Sequence, residues 1–146
     1  MSDNRLWSQI AERLGSTRSY WIATTNQDGS PHVAPIWGAL VEGRFHFYSE
    51  RRSVKAQNLA RDPRLTLHLE SAEDVVIVYG HAEDIGDPRR RPQLIAALAA
   101  KYSSPQDAGY LPSADPAFDV SWILHPDRAL MWKMADYEGT QARWQA

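Results

Sequence analysis

The feature of this sequence that most constrains its fold is a series of short strand-forming segments separated by tight-turn signals. Six or seven such segments follow one another, at residues 20–25, 32–41, 44–49, 65–69, 75–79, 119–125 and 128–134. Turn residues join several of them directly, at 26–29, 41–43 and 126–127, and we expect Pro126-Asp127 to form a tight turn between the last two strands. Because hairpins connect antiparallel strands, the pattern predicts an antiparallel sheet that closes into a barrel or a sandwich.

Side-chain alternation indicates which faces of the strands are buried. In residues 44–49, Phe45 and Phe47 share one face, while Arg44, His46 and Tyr48 share the other. Residues 75–79 are continuously apolar, so we expect both faces of that strand to be covered.

About three helices are predicted among the strands. They cover residues 4–14, a short segment after an N-cap at Ser53 that ends before Asp62-Pro63, and a segment opened by Asp87-Pro88 that continues to Lys101. Ser2 or Asp3 can cap the first helix, and Gly15 is expected to end it. Residues 103–116 are predicted to form a loop, and residues 135–146 have no clear period. We therefore expect one mainly β domain over residues 1–146.

Composition narrows the possible functions. The chain of 146 residues carries a formal net charge of −2, which gives no general attraction to nucleic acid. The absence of cysteine excludes disulfides, thiolate nucleophiles and thiolate-bound metal centres, and it suits the cytoplasm. We find no signal-peptide core and no apolar stretch of about 18 residues, so we expect neither secretion nor a membrane span.

The segment that carries chemistry covers residues 45–64. It contains five basic residues against two acidic ones, at the point where a strand gives way to a helix N-terminus (Arg51, Arg52, Lys55, Arg61 and Arg64 against Glu50 and Asp62). A phosphate at that point can accept bonds from free backbone N–H groups, the Ser53 hydroxyl and the Lys55 ammonium. The alternative is a solvated basic face with Ser53 as a purely structural cap.

An ordered set of short motifs resembles a known family. The motifs are residues 28–31, Pro35-Ile36-Trp37, Phe47-Tyr48-Ser49, Ser53-x-Lys55, Asn58-Leu59 and Asp62-Pro63-Arg64. The set is similar to the pyridoxamine 5'-phosphate oxidase-like superfamily, with the greatest likeness to flavin- and deazaflavin-dependent oxidoreductases. The resemblance implies a split β-barrel of the FMN-binding-like type, a β-barrel with α insertions. It also implies a homodimer with two cofactors in grooves between the subunits.

The resemblance also implies site residues. Ser49, Arg52, Ser53 and Lys55 would hold the cofactor phosphate, and Asn58 would brace the helix that follows. The backbone of Pro35, Ile36 and Trp37 would line the isoalloxazine edge. Trp132 would approach the ring from the partner subunit or form a wall of the pocket. Independently of the resemblance, we expect Trp37, Tyr79 and Trp132 either to form apolar walls that select a flat substrate or simply to pack in the core.

Departures from the family pattern argue against oxidation of vitamin B6. Family arginines are absent where this chain has His32-Val33 and Val54, and the usual glutamine is replaced by Val75. What remains resembles the shorter branch of the family, whose members use coenzyme F420 or FMN, or bind heme. Arg51 and Arg52 can meet the acidic glutamyl tail of coenzyme F420, which slightly favours that cofactor.

The resemblance implies an oxidoreductase that transfers a hydride from the reduced cofactor to a small unsaturated organic substrate. No catalytic side chain is assigned, because the cofactor carries the chemistry. The alternative is a non-catalytic flavin- or heme-binding protein of the same fold. A nucleic-acid-binding barrel is disfavoured by the net charge.

The histidines and the basic cluster at residues 88–92 give little support for a further functional site. The five histidines lack the close pairing of a zinc site, so no metal site is predicted, although His46 or His68 would be the first candidates to ligate heme (His32, His46, His68, His81 and His125). The Pro88-Arg89-Arg90-Arg91-Pro92 cluster is interpreted as a solvated helix start, and its three positive charges have no explanation in the sequence.

Overall fold

The order of the strands brings the two ends of the sheet together. The computed structural model describes residues 4–146. In this range there are eight strands: β1 (Tyr20–Thr25), β2 (Pro31–Ile36), β3 (Gly38–Val41), β4 (Arg44–Ser49), β5 (Arg64–Leu69), β6 (Asp74–Gly86), β7 (Val120–Lys133) and β8 (Ala142–Gln145). They form one antiparallel sheet in the order β2-β1-β5-β6-β7-β4-β3, with β8 added alongside β7. The predicted mainly β class is confirmed.

The sheet must curl because its two outermost strands are neighbours in the chain. Only Trp37 separates the end of β2 from the start of β3, and these strands are at opposite ends of the strand order. The prediction of one strand over residues 32–41 was therefore wrong. The chain changes partners at Trp37, from β1 on one side to β4 on the other. We call this junction the seam; it makes the sheet a half-barrel consistent with a split β-barrel.

The prediction of two strands joined by a turn at Pro126-Asp127 was also wrong. β7 runs without interruption past Pro126 and pairs with β6 over most of its length. Pro126 lies opposite Gly80, where the register shifts. A β-bulge tolerates a residue that lacks an N–H group, and a Cβ on Gly80 would lie 2.3 Å from the His125 carbonyl oxygen. The Pro-Asp signal marks a bulge in a long strand.

Four helices accompany the sheet within the described range: α1 (Asn4–Ser16), α2 (Val54–Arg61), α3 (Pro92–Lys101) and the single turn α4 (Tyr137–Thr140). The three predicted helices are present, although α1 continues past Gly15 and the third begins at Pro92 rather than at Asp87-Pro88. The proposed caps Ser2 and Asp3 lie outside the described residues. Ser53 caps α2 as predicted, because its hydroxyl accepts a bond from the Ala56 N–H. None of the described helices is long and apolar enough to cross a membrane.

The remaining predicted loop and tail contain some regular structure. The 3₁₀ turn Pro88–Arg90 precedes α3, and a second, Ala108–Tyr110, lies within the loop predicted over residues 103–116. The tail, residues 135–146, which lacked a clear period, contributes α4 and β8.

Two apolar clusters lie on opposite faces of β4. The inner face gives Phe45 and Phe47 to the barrel core, which also contains Ile10 and Leu14 of α1. The opposite side of β4 gives Tyr48 to a second cluster beneath α3. This division confirms the predicted alternation of β4, and it leaves the end of that strand exposed to a cavity at the seam.

Candidate functional site

A cavity of about 330 Å³ opens at the seam. We call it the seam cavity; its walls come from the end of β2, the end of β4, α2 and the loop before β7 (Ser19, Pro35, Ile36, Trp37, Tyr48, Ser49, Lys55, Tyr110 and Phe118). Its volume is at the lower end of the range for small-molecule sites. Four of its side chains are aromatic, and Lys55 is the only cationic one among the described residues of the wall.

Five of the predicted site residues meet in this wall: Pro35, Ile36, Trp37, Ser49 and Lys55. The fold explains why they meet. β2 ends at the seam, and β4 ends at Ser49 just before α2 begins. A sixth, Ser53, lies beside them, with its hydroxyl oxygen 3.3 Å from that of Ser49.

The Lys55 ammonium has no hydrogen-bond or ion-pair partner among the described residues. The side chain is partly buried, and burial lowers the pKa of Lys55, opposed only by the charge of Glu50. The N–H groups of the first turn of α2 also lack intrahelical acceptors and carry the positive end of the helix dipole. The electrostatics at this end of the cavity therefore suit an anion.

The other predicted residues lie outside the cavity. Arg52 is exposed, and its Nε donates to Glu50 at 2.8 Å. Arg51, expected to meet a glutamyl tail, donates instead to Asp84 at 2.9 Å. Each guanidinium would have to leave its carboxylate partner before it could bind an anionic ligand.

Asn58 and Trp132 also lie away from the cavity within this chain. Asn58 is buried, and its side-chain N–H group donates to Thr24 and Asn26, which ties α2 to β1 and the following turn. Trp132 is in β7 on the outside of the sheet, where its indole N–H contacts the sulfur of Met134. It forms no wall of the seam cavity in this chain, so the predicted approach from a partner subunit stays a prediction.

Sequence reasoning missed the aromatic cover of the cavity. The Tyr48 hydroxyl donates to the Tyr110 carbonyl oxygen at 2.5 Å, and the ring of Phe118 meets Tyr48 edge-on at 5.2 Å. Tyr110 also meets Trp37 edge-on at 6.0 Å. The available signal was Tyr110 within the predicted loop, which is otherwise rich in Ser, Pro, Gly and Asp, and Phe118 just after it.

Trp37 is held as a rigid floor of the cavity. Its ring stacks on Tyr102, with centroids 4.2 Å apart and planes inclined by 5°. The Arg18 guanidinium lies over the Trp37 ring at 4.9 Å and is itself fixed by two hydrogen bonds to Asp107. A stacked pair clamped by a cation loses little further freedom when a ligand binds.

Lys101, behind this floor, is expected to make the stability of the fold depend on pH. Its ammonium donates to the Gly38 carbonyl oxygen at 2.7 Å. Burial, with a contribution from the charge of Arg18, lowers the pKa of Lys101 from 10.5 to about 8. Between these values the unfolded chain binds more protons than the folded protein, so the free energy of unfolding is expected to rise with pH from about 8 to about 10.

Urea unfolding at several pH values tests this expectation. Lys101→Met removes the titrating group, so its unfolding free energy is expected to lack most of the rise. An equal rise in both proteins would show that another group is responsible.

The family model of pyridoxamine 5'-phosphate oxidase matches residues 6–133, which include β1 to β7 and the whole seam cavity. The chain belongs to this family. The resemblance stated from the motifs is thereby confirmed, together with the split-barrel architecture. Among curated proteins, none matches the chain.

Solved structures with the same fold include proteins of several descriptions. A conserved hypothetical protein from Mycobacterium tuberculosis is 25% identical over 86% of this chain and 83% of that chain, with a TM-score of 0.70. A structure described as an F420 reductase is 24% identical over 81% of this chain and 94% of that chain, with a TM-score of 0.63. A heme-binding protein from Mycobacterium smegmatis is 21% identical, with a TM-score of 0.70, and the match covers 95% of this chain but 57% of that one. The last two likenesses show the fold alone.

Proposed function

We propose that this member of the pyridoxamine 5'-phosphate oxidase family is an oxidoreductase that binds FMN or coenzyme F420 in the seam cavity. In this proposal the bound cofactor supplies the hydride, which passes to a small unsaturated organic substrate. The observation that carries the proposal is the unpaired Lys55 ammonium at the start of α2, facing a cavity with aromatic walls.

The residues of the cavity fit such a cofactor at both of its ends. Lys55, Ser49 and Ser53 offer a cation and two hydroxyl groups to a phosphate. The backbone of Pro35 and Ile36 would orient the edge of a planar ring against the Trp37 floor. Tyr110 and Phe118 would exclude water from the ring face.

Among the described residues, the wall of the cavity contains no carboxylate and no histidine. The Lys55 ammonium is assigned to the phosphate in this proposal, so solvent would supply the proton that accompanies the hydride. The lack of a histidine in this wall also favours a flavin-type ligand over heme, for which His46 and His68 were the first candidates.

The two cofactors make different demands on the residues around the cavity. The expectation that Arg51 and Arg52 meet the glutamyl tail of coenzyme F420 requires them to exchange Asp84 and Glu50 for the ligand. FMN lacks this tail, so its binding would require only the Lys55 end of the cavity.

Titration of the purified protein with FMN, coenzyme F420 and heme tests the proposal. We expect saturable binding of one of the first two, seen as a change in absorbance or fluorescence, and oxidation of the reduced cofactor by a quinone. Cofactor binding without turnover would support the non-catalytic alternative. Binding of heme alone, with a Soret band, would contradict the proposal.

We further propose that the protein is a homodimer. The outside of the sheet carries a partly apolar surface, which we call the outer face, formed by outward residues of β1, β2, β6 and β7 (Trp21, Ala23, Val33, Pro35, Ile77, Leu130 and Trp132) together with Thr66, His68, Tyr79 and Arg128. On it Trp21 is 39% exposed and Val33 is 55% exposed. Pro35 belongs to both the outer face and the seam cavity, so a subunit on this face would border the cofactor site.

A charge on the outer face is expected to dissociate the dimer. Val33→Glu places an unpaired carboxylate in the proposed interface, so its mass in analytical ultracentrifugation should fall to the 16.5 kDa of one chain. Val54→Glu is the matched control, because Val54 is 50% exposed but lies on α2. A monomeric wild type, or a dimeric Val33→Glu, would contradict the proposed interface.

A further inference from the structure

A second cavity, of about 570 Å³, lies away from the seam cavity and shares no wall residue with it. It is bounded by β4, the end of β6 and the start of α3, and three arginines line it: Arg44, Arg90 and Arg91. We call it the arginine cavity. Two of these arginines belong to the basic cluster that the sequence leaves unexplained.

The arginines of this cavity are poorly neutralised. The guanidinium groups of Arg44 and Arg90 have no hydrogen-bond or ion-pair partner among the described residues. Arg91 donates from Nε and Nη2 to the Ile85 carbonyl oxygen, at 3.1 and 2.8 Å, and keeps Nη1 available. Glu42 is the only carboxylate in the described wall. The cavity therefore has an excess of about two positive charges.

The start of α3 adds to this excess. No side chain caps α3, its first turn has no acidic residue, and Pro92 occupies the first helical position. The backbone N–H groups of Gln93 and Leu94 thus have no intrahelical acceptor, and both residues line the cavity. Positive charges at a helix start are electrostatically unfavourable unless an anion joins them, and of the three arginines before α3 only Arg89 has a carboxylate partner among the described residues, Asp87.

A buried histidine gives the cavity an acceptor as well. His46 is 8% exposed and forms part of the wall. Its Nδ1 lies 3.0 Å from the Arg44 carbonyl oxygen, so Nδ1 carries the hydrogen. Burial, and then the charges of Arg44 and Arg91, hold the pKa of His46 below its ordinary value. In the neutral ring Nε2 has a free lone pair, and the structure gives it no donor.

We propose that the arginine cavity is a second ligand site, for a small phosphate monoester with an apolar group. Guanidinium groups bind phosphate oxygens through paired hydrogen bonds. The hydroxyl group of a singly protonated phosphate can donate to Nε2 of His46. The apolar group would lie against Ile85, Leu94 and Ile123, which also line the cavity. This site does not depend on the proposed cofactor.

Phenyl phosphate is a suitable probe, followed by two-dimensional NMR of the backbone amides. We expect saturable shifts of the Gln93 and Leu94 amides in the wild type. The affinity should fall at least tenfold in Arg90→Gln and in Arg44→Gln. Because neither guanidinium has a partner, both variants should keep the thermal unfolding midpoint of the wild type.

Arg89→Gln is the matched control. Arg89 is next in sequence to Arg90, but it pairs with Asp87 at 2.6 Å and lies outside the cavity wall. We expect it to leave the affinity for phenyl phosphate unchanged, and Lys55→Met to leave it unchanged as well. This second result separates the site from the seam cavity.

Several outcomes would overturn the proposal. Absent shifts at Gln93 and Leu94 would show that the cavity binds no phosphate. An equal loss of affinity in Arg89→Gln would reduce the effect to general surface charge. Shifts confined to residues 49–55 would assign the probe to the seam cavity. Tighter binding of phenylsuccinate would replace the phosphate monoester by a dicarboxylate.

Discussion

Replacing Lys55 with methionine is expected to weaken binding of FMN or coenzyme F420 by roughly 10- to 100-fold, because a charge-assisted hydrogen bond contributes about 1.5–3 kcal/mol. Methionine keeps most of the apolar stem and removes only the ammonium. The ammonium has no protein partner, and burial lowers its pKa. The free energy of unfolding should therefore stay equal or rise slightly, which urea titration measures beside the binding constant.

Arg52→Met is the matched control for Lys55→Met. Both residues were predicted to hold the phosphate, yet the Arg52 side chain is 82% exposed and paired with Glu50. We expect it to change cofactor affinity by less than about threefold, as for an exposed ion pair. Wild-type affinity in Lys55→Met would contradict the phosphate site, and a large loss in Arg52→Met would restore Arg52 to it.

Replacing Gly38 with alanine is expected to lower the free energy of unfolding by about 3 kcal/mol, at the upper end of the range for overpacking. A Cβ at this position would lie 2.4 Å from Cζ of Phe45 and 2.5 Å from the His46 carbonyl oxygen. The backbone atom cannot move without breaking the β3–β4 pairing. Gly38 also accepts from Lys101 and donates its N–H group to the Tyr102 hydroxyl at 3.1 Å.

Urea unfolding of Gly38→Ala should be compared with Gly109→Ala. No atom lies within 4 Å of a Cβ built on Gly109, so that variant should stay within about 0.5 kcal/mol of the wild type. Because Gly38 follows Trp37 directly, Gly38→Ala should also weaken cofactor binding. A loss of less than about 1 kcal/mol in Gly38→Ala would mean that the seam opens more easily than its contacts suggest.

The parts of the fold that the sequence predicts are those decided by nearby residues. The hairpin signal at residues 26–29 and the alternation around Phe45 and Phe47 depend on a few neighbours, and both correspond to the structure. The Ser53 cap is equally local, since its hydroxyl bonds to an N–H group three residues later.

The errors come from pairings distant in the chain. At Pro126 the local signal is a turn, but pairing with β6 on both sides of Gly80 keeps β7 continuous and absorbs the proline in a bulge. At Trp37 the local signal is one strand, but β1 and β4 compete for its two halves. In both cases tertiary pairing overrides local preference.

The candidate site divides in the same way. Ser49 and Lys55 are close in sequence, so a motif suffices to bring them together. Tyr110 and Phe118 reach the cavity only because their loop folds back over β4, and no short-range pattern predicts that contact.

The one-residue corner at Trp37 has a thermodynamic consequence. The backbone of Trp37 connects the edge strands β2 and β3, and its indole forms the floor on which a ligand would rest. We therefore expect β2 and β3 to separate only when the cavity is also lost, so that a bound ligand stabilises the closed form of the sheet. Amide hydrogen exchange should slow at both edge strands together when the pocket fills, including residues of β3 remote from any ligand atom.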